Sequence, residues 1–323
     1  MIDVSVIIVN HNRKDLLEHC LRSVVEANVQ KEVIVVDNAS TDGSRELVER
    51  LFPDVVLIKN STNERFAKPN NDAMRIARGR YFFLLNNDAI LQPGSLESLL
   101  AFMENHPDVG MVGPQLLNPD GSIQPSCLGF MSFWTHLFDM LALDRLFPNS
   151  PFFAAMPMTY FDHSTEREVD HIMAAALLVR AEAVAQVGLM DERLTIYYND
   201  TDWSFRFKAA GWKRVFYPAA KVIHHGGQTT ARIKRDKGVL EEQYDNTILY
   251  YRKRYGLTGV FYYRVFLFFG FVARLLYWAV RSVMNKSEDN RWMFEFSLRS
   301  VRVAISPPKI SLSSHSDVSS SRA

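Results

Sequence analysis

Four short apolar runs, each ending in polar residues and each followed by a helix-length segment, govern what this chain can fold into. Residues 4–9, 32–36, 55–58 and 81–85 are rich in Val, Ile and Phe and bounded by polar turns, which predicts buried strands. Between them, residues 14–27, 44–51 and 70–77 carry apolar residues at helical spacing, with starts marked by Asp or Ser. Strand, helix and strand repeated in this way give an α/β fold with a doubly wound, mainly parallel sheet. Such sheets bind ligands outside the carboxyl ends of their strands. The residues that carry chemistry are therefore expected just past each strand: Asn10-His11-Asn12, Asp37-Asn38-Ala39-Ser40 and Asn86-Asn87-Asp88.

Further along, Pro93 opens a helix through Met103, and Asn118-Pro119-Asp120-Gly121 is a turn that suits a hairpin. Residues 129–165 are aromatic and Met-rich without a period that assigns them. A strand over 175–179, helices over 181–186 and 200–210, and strands over 214–217 and 221–223 follow.

Lys and Arg total 37 against 36 Asp and Glu, so no global charge points to nucleic acid. The charge is unevenly placed: from Tyr250 to the end there are 12 Lys and Arg and 4 Asp and Glu. The apolar runs 265–273 and 275–280, split by Arg274, each fall short of the roughly 18–20 residues a spanning helix needs. With Arg264, Arg281, Lys286, Tyr277 and Trp278 around them, they predict an interfacial helix whose arginines snorkel, the alternative being a helix packed on the catalytic body. The Ser-rich end, 306–323, is expected to be disordered. Two cysteines and no CxxC pair indicate a reducing compartment, and the early Asp3 and absence of a basic leader argue against a signal peptide.

Asp37 can accept hydrogen bonds from a nucleobase or ribose, or cap the next helix, as Asp42, Ser40 or Thr41 also can. Neither G-x-x-x-x-G-K-[ST] nor G-x-G-x-x-G follows the first strand, so P-loop and ordinary dinucleotide-binding enzymes fit poorly. The Asn86-Asn87-Asp88 turn offers oxygen ligands that suit Mg²⁺ or Mn²⁺, or a plain capping turn. Asp200 and Asp202, beside Tyr197, Tyr198 and Trp203, suit either a helix cap or a base that takes a proton from a hydroxyl. His224-His225-Gly226-Gly227 reads as a metal or diphosphate contact.

In order and spacing, Ser5-Val6-Ile7-Ile8-Val9-Asn10, Val35-Val36-Asp37-Asn38-Ala39-Ser40, Leu85-Asn86-Asn87-Asp88, Gly188-Leu189-Met190-Asp191-Glu192, Asn199-Asp200-Thr201-Asp202 and His224-His225-Gly226-Gly227 resemble the family 2 glycosyltransferases of GT-A fold, and among them the rhamnosyltransferase type. The resemblance spans residues 3–255. It implies a catalytic domain over 1–255, with a nucleotide-sugar half at 1–113 and an acceptor half at 114–255, followed by a basic amphipathic helical region at 256–305. It assigns Asp37 to the nucleotide base, with Asn10, His11, Asn12, Asn38, Asn71, Asn86 and Asn87 around the nucleotide sugar. Asp88 is assigned to a Mg²⁺ or Mn²⁺ ion, with His224 or alternatively His225 completing its shell, and Asp200 to the general base. Asp191, Glu192, Asp202 and Trp203 fall on the acceptor side. The implied activity is inverting transfer from a dTDP- or UDP-linked sugar to a lipid-linked or polysaccharide acceptor, at the inner face of the plasma membrane and without nucleic acid.

The chain departs from the family pattern at four places. Two glycines of a Gly-rich stretch are Arg65 and Lys68, cations that either reach the diphosphate or stay solvated. The acid before the base is Asn199, the acceptor-side stretch reads Met173-Ala174-Ala175, and Asn86 stands for the first acid of the metal turn. These departures motivate one other reading, a degenerate nucleotide-sugar-binding scaffold, and a similar nucleotide-binding sheet leaves a second, a nucleotidyltransferase, against which stands the missing Gly-rich signature after Val9.

Overall fold

The computed structural model describes residues 2–195, 197–226, 237–284 and 287–305, and divides into two units, Met1–Arg235 and Asp236–Ala323. In the first unit β1 (Val4–Asn10), α1 (Lys14–Glu26), β2 (Lys31–Asn38), α2 (Ser44–Leu51), β3 (Val56–Asn60), α3 (Ala67–Ile76) and β4 (Tyr81–Asn86) alternate as expected. Their strands pair in parallel in the order β3-β2-β1-β4, with Asn10 level with Asp37 and Val9 level with Asn86. Three strand ends therefore finish side by side with their polar residues at one edge.

Alternate residues of β1 face opposite layers. Val4, Val6 and Ile8 pack with Leu17 and Leu21 of α1 and Leu47 of α2, whereas Ile7 packs with Ala73 and Met74 of α3. Burial on both faces explains why these strands read as continuous apolar runs. Gly79 makes one close approach possible: a Cβ there would lie 2.5 Å from the Ser5 backbone nitrogen. Its N–H instead donates to Ser5 Oγ at 2.9 Å.

Beyond β4 the sheet becomes mixed. β5 (Ala89–Leu91), α4 (Ser95–Asn105), β6 (Val109–Leu117), β7 (Ile123–Gln124), β8 (Cys127–Leu128), α5 (Phe133–Met140), α6 (Leu143–Leu146), β9 (Arg167–Glu168), β10 (His171–Ile172), β11 (Ala176–Arg180), α7 (Ala181–Val187), α8 (Asn199–Ala209) and β12 (Lys213–His224) complete the unit. The main sheet runs β3-β2-β1-β4-β11-β6-β12-β5, with β11 antiparallel to both neighbours, while β8 and β10 form a separate pair. α4 joins the α1 and α2 face, and α7 and α8 join the α3 face.

Several boundaries differ from expectation. α3 starts at Ala67 rather than residue 70, because Pro69 sits in the first turn, where its missing N–H costs nothing. α4 starts at Ser95, after Gly94 in a left-handed conformation. The two strands expected over 214–223 are one strand, β12, whose register shifts between Tyr217 and Lys221 around Pro218. The aperiodic stretch contains α5, started by a capping box in which Ser132 N donates to Thr135 Oγ1 at 2.8 Å and Thr135 N donates to Ser132 Oγ at 3.3 Å.

The second unit holds α9 (Lys237–Met284) and α10 (Glu288–Ile305). Gly256 interrupts α9 with φ 67° and ψ −158°, a backbone conformation that L side chains rarely adopt. The chain reverses there: Tyr251 stacks on Tyr263 at 4.8 Å between ring centroids, and Tyr244 meets Phe271 at 5.6 Å. In an unbroken helix Tyr244 and Phe271 would lie about 40 Å apart. α10 closes the group through Tyr244 Oη, which donates to Ser300 Oγ at 3.3 Å, and through Phe296 near Phe271. Val260, Tyr263, Leu267 and Phe271 form the buried face of the second arm. Leu257, Phe261, Phe269, Leu276, Val280 and Val283 form an exposed stripe along it.

The helix does not stop at Arg274. The expectation of two runs each too short to span is corrected: Glu242–Met284 contains a stretch long and apolar enough to cross a membrane by length and composition. Residues 306–323 lie outside the described residues, as do Gly227 and Lys286.

Candidate active site

The three strand ends meet through side chains. Asn10 Oδ1 accepts from Asn87 Nδ2 at 2.7 Å, and Asn10 Nδ2 donates to Asp37 Oδ2 at 3.3 Å and Ser40 Oγ at 3.2 Å. Asp37 is almost fully buried, and its Oδ1 accepts from Arg45 Nε at 2.5 Å and Ser40 N at 2.9 Å. Burial pushes the Asp37 carboxyl up, but the hydrogen bonds from Ser40, Arg45 and Asn10 outweigh it and hold the group below the ordinary carboxylate range. Helix starts are served instead by Asp42, which accepts from Ser44 N at 3.0 Å and Lys14 N at 2.9 Å. That separates the two roles the sequence left open for Asp37.

His11 Nδ1 lies 2.7 Å from Asn38 O, and Asn12, at φ 52°, accepts from Thr41 N at 2.8 Å. Asn38 bridges Arg65 O and Asn60 Nδ2, each at 2.8 Å. Lys68 pairs with Asp72 at 2.7 Å on its own helix.

Asp88, just before β5, and His224, at the end of β12, come together because the two strands pair antiparallel with His224 opposite Ala89. His224 Nε2 lies 3.3 Å from Asp88 Oδ1 and 3.2 Å from Asn86 Nδ2. On the other side of the ring, His224 Nδ1 lies 2.6 Å from Gln124 Oε1. Gln124 spends its amide nitrogen on Asn118 Oδ1 and His224 O, at 2.9 Å and 3.3 Å. Its oxygen must then accept, so Nδ1 carries a proton, which leaves Nε2 as the nitrogen that donates to Asp88 while it is protonated and that would bind an ion once it is not. His225 is exposed, and only its backbone N–H reaches Asp88, at the carbonyl oxygen. Burial raises the Asp88 carboxyl, and a proton on His224 Nε2 facing Oδ1 more than offsets this and brings it below the ordinary range.

Among the described residues no three His, Cys, Asp and Glu side chains converge. One carboxylate and one oriented imidazole are nevertheless a fitting protein share for Mg²⁺ or Mn²⁺, which complete their shells with substrate phosphates and water.

Asp200 begins α8 beyond two consecutive left-handed residues, Tyr197 at φ 54° and Tyr198 at φ 57°. Such conformations cost about 1–3 kcal/mol each and cluster at functional sites. Asp200 Oδ1 accepts from Thr201 N at 2.9 Å, and Oδ2 accepts from Ala174 N at 3.3 Å and faces His171 Nε2 at 3.2 Å. Burial pushes this carboxyl up, and His171 with the two amides brings it below the ordinary range. Ala175, next in the chain, accepts the Asn86 N–H at 2.9 Å. The base candidate and the metal turn are thus tied through two adjacent backbone residues.

Other residues flagged in the sequence form a brace. Asn71 is buried, donates to Met190 O and Glu192 Oε1, both at 2.9 Å, and accepts from Met190 N at 3.0 Å. With both amide ends so used, Asn71 holds the loop before α8. Trp203 is fully buried, its Nε1 donating to Gly188 O at 2.8 Å, so its placement on the acceptor side is corrected to the core. Asp202 is also buried and pairs with Arg206 at 3.0 Å, and Arg206 in turn donates to the Val187 and Leu189 carbonyls. Asp191 holds Arg193 at 2.7 Å, and Glu192 holds Arg75 at 2.9 Å.

Arg45, Gln124 and His171 escaped the sequence reading. Gln124 sits in a two-residue strand with no motif to mark it. His171 lies two residues before the Met173-Ala174-Ala175 stretch, which was the one available signal.

Glycosyl transferase family 2 matches residues 5–167. An N-acetylglucosaminyl-diphospho-decaprenol L-rhamnosyltransferase of Mycobacterium tuberculosis is 31% identical over 239 residues, covering 70% of this chain and 77% of that one. An O-antigen biosynthesis protein of Myxococcus xanthus, RfbC, is 28% identical over 268 residues, covering 80% of this chain but 20% of that one. Among solved structures, a mannosyltransferase from Pyrobaculum calidifontis in complex with GDP-Man and Mn²⁺ shares the fold, with a TM-score of 0.53 at 16% identity over 93% of this chain and 85% of that one. GalNAc-T7 with UDP, GalNAc and Mn²⁺ gives the same TM-score over 69% of this chain and 43% of that one. Sequence and fold agree with the strand-end geometry: the chain belongs to glycosyl transferase family 2 and is a rhamnosyltransferase-like glycosyltransferase.

Proposed function

We propose that this glycosyltransferase is inverting and metal-dependent, and moves a sugar, with rhamnose the first candidate, from a nucleoside-diphosphate sugar to a hydroxyl of a lipid-linked or polysaccharide acceptor. The observation that carries the reading is the backbone tie between Asp200, through Ala174 and Ala175, and the Asn86-Asn87-Asp88 turn. It sets an ionised carboxylate beside the turn that suits a diphosphate.

Asn10, Asp37 and Asn38 line the strand ends where the nucleoside would lie. Asp88 and His224 would hold a Mg²⁺ or Mn²⁺ ion, whose charge would neutralise that developing on the diphosphate. Asp200, held below the ordinary carboxylate range, is ionised at neutral pH and takes the proton of the acceptor hydroxyl. The acceptor oxygen forms the new bond to C1 as the bond from C1 to the diphosphate oxygen breaks. The nucleoside diphosphate leaves with that electron pair, and the anomeric centre inverts.

The same proposal places the chain at the inner face of the plasma membrane. The second arm of α9 has apolar residues on both its buried and its exposed face, a pattern that suits lipid contact. An Arg at the bilayer centre costs about 2.5–3.5 kcal/mol. Arg274 therefore favours a helix lying in the interface with its cations snorkelling. Replacing Phe261, Phe269 and Leu276 by Ser should move the full chain from the membrane fraction to the soluble one, and an unchanged distribution would remove this role.

Asp200→Asn keeps shape and removes the base. Transfer from a panel of dTDP- and UDP-sugars should fall on the order of 10²–10⁴-fold, with nucleotide binding in Mn²⁺ retained. Transfer within a few-fold of the parent chain would remove Asp200 from the mechanism.

A further inference from the structure

Asp200 has a neighbour with no role in the mechanism so far. His171 is 4% exposed, and its Nε2 lies 3.2 Å from Asp200 Oδ2, within ion-pair distance though without a well-aligned hydrogen bond to it or to any other group. A nitrogen lone pair facing an ionised oxygen at that distance would repel it, so Nε2 carries its proton toward Oδ2. The backbone that carries the ring is anchored independently of Asp200: His171 and Ile172 pair with Leu128 and Cys127, and Met173 N donates to Ser126 O at 2.9 Å.

The other charged groups nearby are engaged elsewhere. Asp170 takes Lys208 Nζ at 2.7 Å and Phe130 N at 3.2 Å. Asp202 pairs with Arg206 on α8, and Arg214 on β12 donates to Trp212 O at 2.7 Å and Val169 O at 3.1 Å. On the β8 side, His163 Nε2 accepts from the Ser126 and Cys127 amides, and burial pushes the Cys127 thiol up to about 12. Asn199, preceding the base, is uncharged, and its Oδ1 takes the Asp200 N–H at 2.8 Å. Among the described residues, His171 is the ionisable side chain set against the Asp200 carboxylate.

We propose that His171 is a positioning residue for Asp200: its N–H, with the Ala174 and Thr201 amides, fixes the rotation of the carboxylate where the acceptor hydroxyl arrives. The inference rests on the reading of Asp200 as the base. Without His171, the largest influence opposing burial is lost, and the carboxyl would titrate at higher pH than in the parent chain.

The test compares His171→Phe, His171→Gln and Asp200→Asn in the full chain, each checked by thermal melting and by nucleotide binding in Mn²⁺. His171→Phe should lower kcat on the order of 10–100-fold, leave donor KM within about twofold, and move the acidic limb of the kcat–pH profile to higher pH. His171→Gln, which restores an N–H, should recover most of kcat. If His171→Phe does not fold, His171→Met carries the same expectation. A folded variant with parental kcat and an unmoved limb, alongside an inactive Asp200→Asn, would overturn the positioning role while leaving the base in place. An active Asp200→Asn would overturn both.

Discussion

Asp37 stands at the carboxyl end of β2 and Asp88 just beyond β4, whereas Asp200 stands at the start of a helix entered through two left-handed tyrosines. The first two inherit their places from parallel pairing, since a strand fixed in register fixes the residue that follows it. Asp200 inherits its place from a brace. Asn71 and Arg75 of α3, Trp203 and Arg206 of α8, and the loop from Gly188 to Leu194 hold one another, and the turn at Tyr197 and Tyr198 follows that loop. One half of the site is therefore built by secondary structure and the other by side-chain contacts between distant segments. The strand-end half should tolerate loss of a polar group locally, while the braced half should fail as a unit.

The sharpest test of that division is Asp88→Ala. It removes the carboxylate from the Asp88 and His224 pair without touching the brace or the tie from Ala174 to Asp200. Nucleotide binding should lose its dependence on Mn²⁺ in a titration with and without the ion, and transfer should fall by at least about 100-fold. Melting of the metal-free chain should change little. Undiminished Mn²⁺ dependence would remove the metal role, and a collapse in melting temperature would show that the two halves are not separate.

The same division explains what was legible in the sequence. Strand runs buried on both faces and helices between them are periodic signals, so the doubly wound sheet and the residues at its edge could be read directly. The bulge of β12 at Pro218 hangs on one residue inside a continuous strand, so the strand appeared as two short segments, and Arg274 split the apolar run of α9 in the same way. Trp203 and Asp202 follow the base in a motif, yet they point into the core to hold the loop, because successive residues of a helix face different directions. Partners brought together by folding, such as Gln124 with His224 across 100 residues, leave no local trace.

Gln124 offers a graded test of the strand-end half. Its Oε1 holds the proton on His224 Nδ1, so that Nε2 is the nitrogen left to bind an ion beside Asp88, and such outer partners are worth about 10–100-fold in metal affinity. Gln124→Leu should weaken Mn²⁺-dependent nucleotide binding by that factor and less than Asp88→Ala does. Gln124→Glu, which keeps the acceptor, should bind nearly as the parent chain. Equal binding by the Leu variant would mean that His224 is oriented by β12 alone.

The smallest expected effect concerns stability and separates structural from chemical use of a strand-end acid. Asp37 is held below the ordinary carboxylate range, so the folded chain resists its protonation more than the unfolded chain does. Its contribution is present above the unfolded value near 3.9 and is lost as pH falls through the lower folded value. Asp37→Asn removes that contribution and leaves Arg45, which also donates to Asn60 O at 2.7 Å, without its ion-pair partner. The variant should be less stable by about 1–3 kcal/mol at neutral pH, and the gap from the parent chain should close as both are melted at lower pH, down to about pH 3. A constant gap would assign the loss to packing, and no gap at any pH would leave Asp37 a wholly ligand-directed residue.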